Sequence, residues 1–196
     1  MKWLKILICN SLIFLVSFCQ QEVTAQYLSI RVGIYDFTNN VATEFYILSP
    51  GIFIDYDIVN ISRLKFNTCI GFTFNSIKYN DHKHYLYFLP VFASLTYDLT
   101  NSESRFKPYI GAGISFAAKA DQNKSFDKTH YSATYGYHAI GGIKYILKDD
   151  LFLLFDMRYN LLLNPVMEEV NMSGMILTAG IKFKIDKKNK HRKDQQ

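Results

Sequence analysis

The sequence predicts an all-β protein, an eight-stranded antiparallel up-and-down barrel that crosses a membrane. The first observation is the alternation of the segment from Met172 to Ile185, where apolar residues on one face oppose small, polar or cationic residues on the other. The second is that similar alternating runs recur after residue 25, where no stretch has helical periodicity. The third is spacing, because clusters of Asn, Asp, Ser and Lys separate the runs as turns would. A wall that is apolar outside and polar inside suits a barrel in lipid.

The amino end is typical of a cleaved secretory signal peptide, which we assign to residues 1–25. Lys2 and Lys5 supply the charged start, and the apolar stretch from Ile6 to Phe18 follows. Val23-Thr24-Ala25 puts small residues at the cleavage positions, so the mature chain is predicted to begin at Gln26. The apolar stretch is shorter than the roughly 20 residues of a membrane-spanning helix.

Cysteine usage excludes a disulfide framework in the mature chain. Cys9 and Cys19 fall in the signal peptide, which leaves Cys69 alone. No intrachain disulfide and no cysteine-based metal site can then form. Acylation of Cys19, as in a lipoprotein, is the alternative for the amino end, but Phe18 before it is larger than the small residue such sites use.

The first four runs each carry a continuous apolar face. These faces are Leu28, Ile30, Val32 and Ile34 in 27–36, Ile52, Ile54, Tyr56 and Ile58 in 51–59, Leu64, Phe66, Ile70, Phe72 and Phe74 in 64–78, and Tyr85, Tyr87, Leu89, Val91, Ala93, Leu95 and Tyr97 in 85–98. The fourth run is apolar on both faces, and we assign the odd-numbered face outward because tyrosines then lie at both ends. Pro90 lies inside this run, where it removes a ladder donor.

The last four runs repeat the pattern, with glycines on the inner face of the fifth and sixth. The outer faces are Ile110, Ala112, Ile114 and Phe116 in 108–120, Tyr135, Tyr137, Ala139, Ile143 and Tyr145 in 130–147, Leu151, Leu153, Phe155, Met157, Tyr159 and Leu161 in 151–161, and Ser173, Met175, Leu177, Ala179, Ile181, Phe183 and Ile185 in 172–185. The barrel is therefore assigned to residues 26–185 as a single domain.

The connections differ in length between the two ends of the barrel. Those after the second, fourth and sixth runs are short, whereas 38–49 and 121–128 are longer and polar and 80–84 is intermediate. Transmembrane barrels have short turns on the periplasmic side and longer loops outside. We therefore expect the longer segments to face the cell exterior.

The inner faces carry charged residues of both signs. They are Arg31, Asp55, Asp57, Lys65, Lys144, Asp156, Arg158 and Lys182. The interior of an eight-stranded barrel is just wide enough for side chains to fill, and an unpaired charge there is prohibitive. We interpret the set as a structural salt-bridge network, so no open pore and no catalytic, cofactor-binding or metal-binding residues are predicted.

Outward aromatic residues cluster near both ends of the runs. Tyr56, Phe66, Tyr97, Tyr145 and Phe183 lie near the short turns, and Phe74, Tyr85, Phe116, Tyr135 and Tyr159 lie near the longer loops. Two such girdles are what the two membrane interfaces favour. Ordinary β propensity of aromatic residues is the alternative explanation.

The order and spacing of several motifs resemble bacterial outer-membrane β-barrels, the porin-like small barrels of OmpA and OmpX type. The motifs are Tyr85–Pro90, Pro108–Gly113, Met157–Asn160 and the terminal Thr178-x-Gly180-x-x-Phe183-x-Ile185. The terminal motif is similar to the C-terminal assembly signal of these barrels, except that Ile185 stands where an aromatic residue is usual. The resemblance implies a monomer in the bacterial outer membrane that contacts lipid and lipopolysaccharide and uses the barrel-assembly machinery through its last strand. It implies no shared enzyme activity.

Two other functions remain open at this point. His130-Tyr131-Ser132 resembles the His-x-Ser pair of outer-membrane lipid A deacylases, but no acidic residue occurs between Ser132 and Lys148 to orient the histidine. A soluble periplasmic barrel that binds an apolar ligand is the second alternative. His82 and His84 are expected to be solvent-exposed in a loop rather than to bind metal.

Charge distribution argues against nucleic-acid binding. Of the formal net charge of +5, residues 1–25 carry +1 and residues 186–196 carry +3, from five Lys/Arg and two Asp. The barrel segment therefore carries only +1, which implies no basic recognition face. The basic tail 186–196 is predicted to be disordered and periplasmic.

Overall fold

The chain folds into a closed barrel of eight antiparallel strands, each paired with its neighbours in sequence. The computed structural model describes residues 26–38, 48–79, 82–100, 104–123, 128–163 and 171–185. The strands are β1 (Gln26–Phe37), β2 (Ser49–Ile61), β3 (Leu64–Tyr79), β4 (His82–Asp98), β5 (Phe106–Asn123), β6 (Lys128–Lys148), β7 (Leu151–Leu162) and β8 (Gly174–Ile185). The fold class and strand count are as predicted, whereas the signal peptide and the basic tail lie outside the described residues.

The barrel closes where β8 pairs with β1. This register is unbroken from Gln26 opposite Ile185 to Phe37 opposite Gly174. Consecutive strands are joined alternately at two ends, which we call the turn end and the loop end. The turn end holds the connections 62–63, 99–105 and 149–150, and the loop end holds 38–48, 80–81, 124–127 and 163–173.

Two segments predicted to be loops are strand in part. β3 and β4 pair up to Tyr79 opposite His82, and β5 and β6 pair up to Asn123 opposite Lys128. The prediction of polar loops over 80–84 and 121–128 was therefore wrong at 82–84, 121–123 and 128, so that His82 and His84 belong to β4, and the remaining residues of these segments lie outside the described ranges. Backbone pairing with the adjacent strand extends these strands past the point where alternation of apolar residues ends.

Pro90 is accommodated without a change of register. It is buried, and it lies opposite Ala117 in the β4–β5 ladder. On the other side, the β3–β4 pairing passes from Ile70 opposite Val91 directly to Thr73 opposite Phe88. The absence of an N–H on Pro90 thus accompanies a short interruption of the β3–β4 ladder, while the β4–β5 ladder continues.

The outward face is an apolar belt around the whole barrel, and the predicted orientation of every strand is confirmed. Ser173, which was predicted to face outward, precedes β8 and is buried, because its hydroxyl accepts a hydrogen bond from the Leu162 amide at 2.8 Å. Exposed residues of the belt include Val32, Ile52, Ile54, Ile70, Phe72, Leu95, Ile110, Ile114, Leu153, Phe155, Leu161 and Ile181. Such a belt is unfavourable in water and suits the hydrocarbon region of a bilayer. Within the described ranges, no helix is long and apolar enough to cross a membrane.

Aromatic pairs lie at both ends of this belt. Phe106 contacts Tyr145 at the turn end, with ring centroids 4.8 Å apart. Phe74 contacts Tyr87 at the loop end, with centroids 5.3 Å apart. In β6, Tyr145 and Tyr135 are ten residues apart, and a tilted strand of that length rises about 25 Å, the height of the apolar band.

The wall is taller on one side. β1, β2, β7 and β8 have 12 or 13 residues, whereas β3 to β6 have 16, 17, 18 and 21. The additional residues lie at the loop end, so β6 residues 128–134 stand beyond the girdle residue Tyr135. We call this projecting sheet of β3 to β6 the loop-end extension.

An arginine in the middle of the belt should destabilise the barrel. Ile54 and Leu153 are 44% and 47% exposed on the outer face. We expect Ile54→Arg or Leu153→Arg to lower the free energy of unfolding in vesicles by about 2–4 kcal/mol, because the charge meets the bilayer midplane. Thr129→Arg, on the loop-end extension, is the control and should change it little. Equal effects at Thr129 and Ile54 would contradict a lipid-facing belt.

Candidate functional site

The lumen contains two layers of side chains, charged toward the turn end and apolar toward the loop end. All eight charges assigned to the inner face do point inward. Those that are fully buried are Arg31, Asp55, Asp57, Lys144, Asp156, Arg158 and Lys182, and Lys65 is mostly buried. The structure therefore brings the predicted set together.

Arg31 on β1 is the centre of the charged layer. It is 3% exposed, and its guanidinium forms ion pairs with Asp55 on β2 and Asp156 on β7. Asp156 also accepts hydrogen bonds from the Thr178 hydroxyl at 2.9 Å and the Tyr109 hydroxyl at 3.1 Å. The carboxylate thus has a donor for each oxygen, as a buried charge requires.

Two glycines provide the space that this arrangement needs. Gly180 lies opposite Arg31 in the register, and a Cβ there would come within 2.7 Å of Arg31 Cγ. A Cβ on Gly142 would come within 2.6 Å of Asp156 Cβ and 2.8 Å of Tyr109 Cζ. The inner face is therefore filled by large side chains of one strand over glycines of the next.

A second group of ion pairs lies nearer the turn end. Asp98 Oδ1 is 2.6 Å from Lys144 Nζ, and Asp98 Oδ2 is 2.7 Å from Lys65 Nζ. Lys182 Nζ is 2.5 Å from Asp57 Oδ2. Asp98 was missing from the predicted set of inward charges. Its position at the end of the inner face of the fourth run could have revealed it. With it, five cations face four carboxylates.

Arg158 is held mainly by a ring. Its guanidinium carbon lies 4.0 Å from the centroid of Phe92, and Nη2 is 3.9 Å from Asp55 Oδ1. Cation–π contact is effective where the cation is desolvated. Beside it, His138 packs edge-on against Phe92 and shares a 2.8 Å hydrogen bond with Ser94. Arg158 marks the boundary between the charged and apolar layers.

The apolar layer at the loop end was not predicted. It consists of Tyr35, Phe37, Phe53, Cys69, Leu86, Phe88, Phe92, Ala117, Leu162, Met172 and Ile176. The Tyr35 hydroxyl donates to the carbonyl of Met172 at 2.8 Å and accepts from Asn160 Nδ2 at 3.1 Å. The fourth run could have revealed this layer, because it is apolar on both faces and its even-numbered residues enter the lumen. Cys69, the free cysteine of the described residues, is buried in this layer.

Together the two layers fill the lumen. A cavity of about 20 Å³ remains between the ion pairs, bordered by Asp55, Asp57, Tyr109, Lys144 and Lys182 among others. A cavity of this size holds about one water molecule. The described interior therefore has the packing of a core, not of a channel.

His130 and Ser132 lie on the loop-end extension, on the barrel-side face of β6. The β5–β6 register sets Asp121 opposite His130 and Lys119 opposite Ser132. An acidic residue is thus next to the histidine, although it precedes the His-x-Ser pair instead of following it. Sequence spacing along one strand could not reveal this neighbour. Among the described residues, no group of three His, Cys, Asp or Glu could hold a metal ion.

A sequence model of one family matches most of the chain, residues 20–185, and that family is described as Opacity family porin protein. The structure of Neisserial surface protein A superposes with a TM-score of 0.66 at 19% identity, covering 83% of this chain and 98% of that chain. The outer membrane protein OprG from Pseudomonas aeruginosa gives 0.65 at 12% identity, covering 83% and 96%. Ail, the attachment invasion locus protein of Yersinia pestis, gives 0.51 at 11% identity, covering 82% and 100%. At these identities the structural similarity shows the fold alone. No curated protein sequence shows a significant match.

Removing the central arginine should destabilise the barrel strongly. We expect Arg31→Met to lower the free energy of unfolding by about 3–5 kcal/mol, because Asp55 and Asp156 remain buried without their cation. The control is Lys184→Met, which breaks an exposed pair with Asp150 at 3.7 Å and should change stability by less than about 1 kcal/mol. The free energies of unfolding of the two variants are compared by urea titration. The folded fraction is measured by the heat-modified gel mobility of the barrel. A similar small effect for both would contradict a structural role for the network.

Proposed function

We propose, from its membership of the Opacity family of porin proteins, that the chain makes contacts at the cell surface through the loop end of its closed barrel. Members of this family are proteins of the bacterial outer membrane, and so is this chain. The charged and apolar layers that fill the lumen carry this proposal. A lumen occupied by side chains offers no path for a solute, so function is left to the surfaces. The surface beyond the membrane is the loop end.

The loop-end extension supports a role in surface interaction. Its four strands project past the upper girdle on one side of the barrel, with Tyr131 among its exposed residues. Rigid strands present side chains with less loss of conformational entropy than loops do. Two proteins of similar fold are named a surface protein and an attachment invasion locus protein, which agrees with this proposal.

We further propose that the protein is a monomer without enzymatic activity. The apolar belt contacts lipid, the residues just above the upper girdle contact lipopolysaccharide, and β8 engages the assembly machinery. The signal peptide delivers Gln26 to the periplasm, and an even strand number leaves the basic tail on the same side.

A lipid-modifying enzyme is the second candidate, because Asp121 lies opposite His130 in the register. We regard it as the weaker candidate, since Lys119 lies opposite Ser132 and the whole group stands beyond the girdle, away from the lipid esters. Ser132→Ala should leave the lipid A profile of expressing cells unchanged. A profile altered by the wild type and restored by Ser132→Ala would support the enzyme instead.

The purified protein should conduct little. In planar bilayers we expect no stable single-channel steps, because buried charged and apolar side chains occupy the described part of the lumen. The double variant Arg31→Ala, Asp156→Ala is the comparison. Its ion conductance should exceed that of the wild type if the network blocks the lumen. Large steps from the wild type would contradict the proposal.

Shortening the loop-end extension should abolish surface contacts while the barrel persists. We would join Ala117 to Thr134 by a two-residue Asn-Gly turn, since these residues are opposite in the register and such turns close hairpins. Cells that express the shortened protein should attach to abiotic and cellular surfaces as poorly as cells without the protein. Antibody labelling of a tag inserted at 124–127 in the full-length chain verifies exposure outside. Unchanged attachment would overturn the proposed function.

A further inference from the structure

Two lysines share a single carboxylate at the turn end of the lumen, and a third lysine lies beside them. Asp98 forms ion pairs with the ammonium groups of Lys144 at 2.6 Å and Lys65 at 2.7 Å. Lys107 lies opposite Lys144 in the β5–β6 register. It precedes the buried Tyr109 by two residues and is therefore on the same inner face of β5. Side chains in directly opposite positions have Cβ atoms about 5 Å apart, so this group has three positive charges and one negative charge.

The ion pairs of the charged layer leave a positive excess at this place. Asp57 pairs with Lys182 at 2.5 Å, and the two arginines of the layer face two other carboxylates. Of the carboxylates that the structure describes in this layer, Asp98 is left to compensate both Lys65 and Lys144. The third lysine lies directly opposite one of them, and like charges in that position are destabilising. An anion bound here would compensate the excess and separate the opposed ammonium groups.

The cavity of about 20 Å³ provides a second observation at the same place. Lys144 and Lys182 border it, together with the polar side chains of Asn67 and Thr96. Arg31 also borders it, and the Nε atom of this buried arginine has no hydrogen-bond partner among the described residues. A cavity of this size holds about one water molecule. It therefore has room for a water bound to an anion, or for one oxygen of the anion, while the rest of the anion lies among the lysines.

The exposure of the three lysines increases from this cavity toward the turn end. The Lys144 side chain is 7% exposed and the Lys65 side chain is 18% exposed, whereas Lys107 is half-buried. An anion can therefore reach the ammonium groups from the turn end without passing the apolar layer, which lies toward the loop end. Because the lysines are partly buried, salt screens their attraction for an anion less than it would at an open surface.

We propose that Lys65, Lys107 and Lys144 bind a phosphate group at the turn-end mouth of the lumen. Lysine binds phosphate as a compact point charge, whereas recognition of a carboxylate through two parallel hydrogen bonds favours arginine. A phosphate monoester carries about 1.5 to 2 negative charges at neutral pH, which matches the excess of the group. Inorganic phosphate and the headgroup of a lipid in the adjacent leaflet present the same chemistry. The site lies at the opposite end of the barrel from the loop-end extension, so it goes beyond the proposed surface contacts.

The test measures the binding of inorganic phosphate to the purified protein by isothermal titration calorimetry, in octyl glucoside and at physiological salt. Lys107→Gln should weaken phosphate binding by about tenfold or more, because it removes one close Coulomb attraction. The matched control is Lys148→Gln, at the exposed last residue of β6, and it should leave the affinity unchanged. Asp98→Asn removes the competing carboxylate but keeps the three lysines, so it should bind phosphate more tightly than the wild type.

Competition identifies the source of the phosphate group. Displacement of inorganic phosphate by short-chain phosphatidic acid, and not by the diacylglycerol that lacks the phosphate, assigns the site to a lipid headgroup. Absence of displacement by either lipid assigns it to free phosphate. The proposal is refuted by a wild type that binds no phosphate, by equal affinity of Lys107→Gln, by an equal loss in Lys148→Gln, by weaker binding in Asp98→Asn, or by equal binding of acetate. If Lys107→Gln fails to fold by heat-modified mobility, Lys65→Gln, which leaves Asp98 paired with Lys144, takes its place.

Discussion

The structure depends on the neutralisation of charge inside a space too narrow for bulk water. Each strand forms backbone hydrogen bonds only with its two neighbours, but several of the buried ion pairs join strands that are not neighbours. Arg31 joins β1 to β7 through Asp156, Lys182 joins β8 to β2 through Asp57, and Lys144 joins β6 to β4 through Asp98. Because a buried charge without its partner is strongly unfavourable, these contacts oppose any slip of the strand register.

The apolar layer has a different role from the charged layer beneath it. Tyr35, Phe37 and Phe88 form edge-on ring contacts with centroids 5.0 and 5.8 Å apart around Phe88, a geometry favoured between aromatic rings. This layer lies below the loop end and separates the ion pairs from the water outside. The low dielectric it creates strengthens each ion pair under it.

Alternation along the sequence was sufficient to predict the wall of the barrel but not its ends. The lipid imposes alternation, so Ile30, Val32 and Leu153 reveal their strands, whereas Lys83 and Gln122, which lie beyond the apolar belt, have no apolar alternation around them and resemble loop residues. The apolar layer escaped prediction because an inner face was expected to be polar, and Leu86 and Phe88 violate that rule. Asp98 and Asp121 escaped because their importance comes from neighbours on other strands, a property of register that no single strand displays.

The position of Arg31 at the closing seam has a consequence for the order of assembly. Its partners come from β2 and from β7, and Gly180 on β8 lies directly against it. Asp55 is available as soon as the first hairpin forms, but Asp156 reaches Arg31 only when the last strands meet the first. An open sheet entering the bilayer would carry Asp156 without its cation, and Lys182 without Asp57. Sealing the seam and pairing these charges are therefore a single event, and an open sheet in the bilayer is energetically unfavourable until that event takes place.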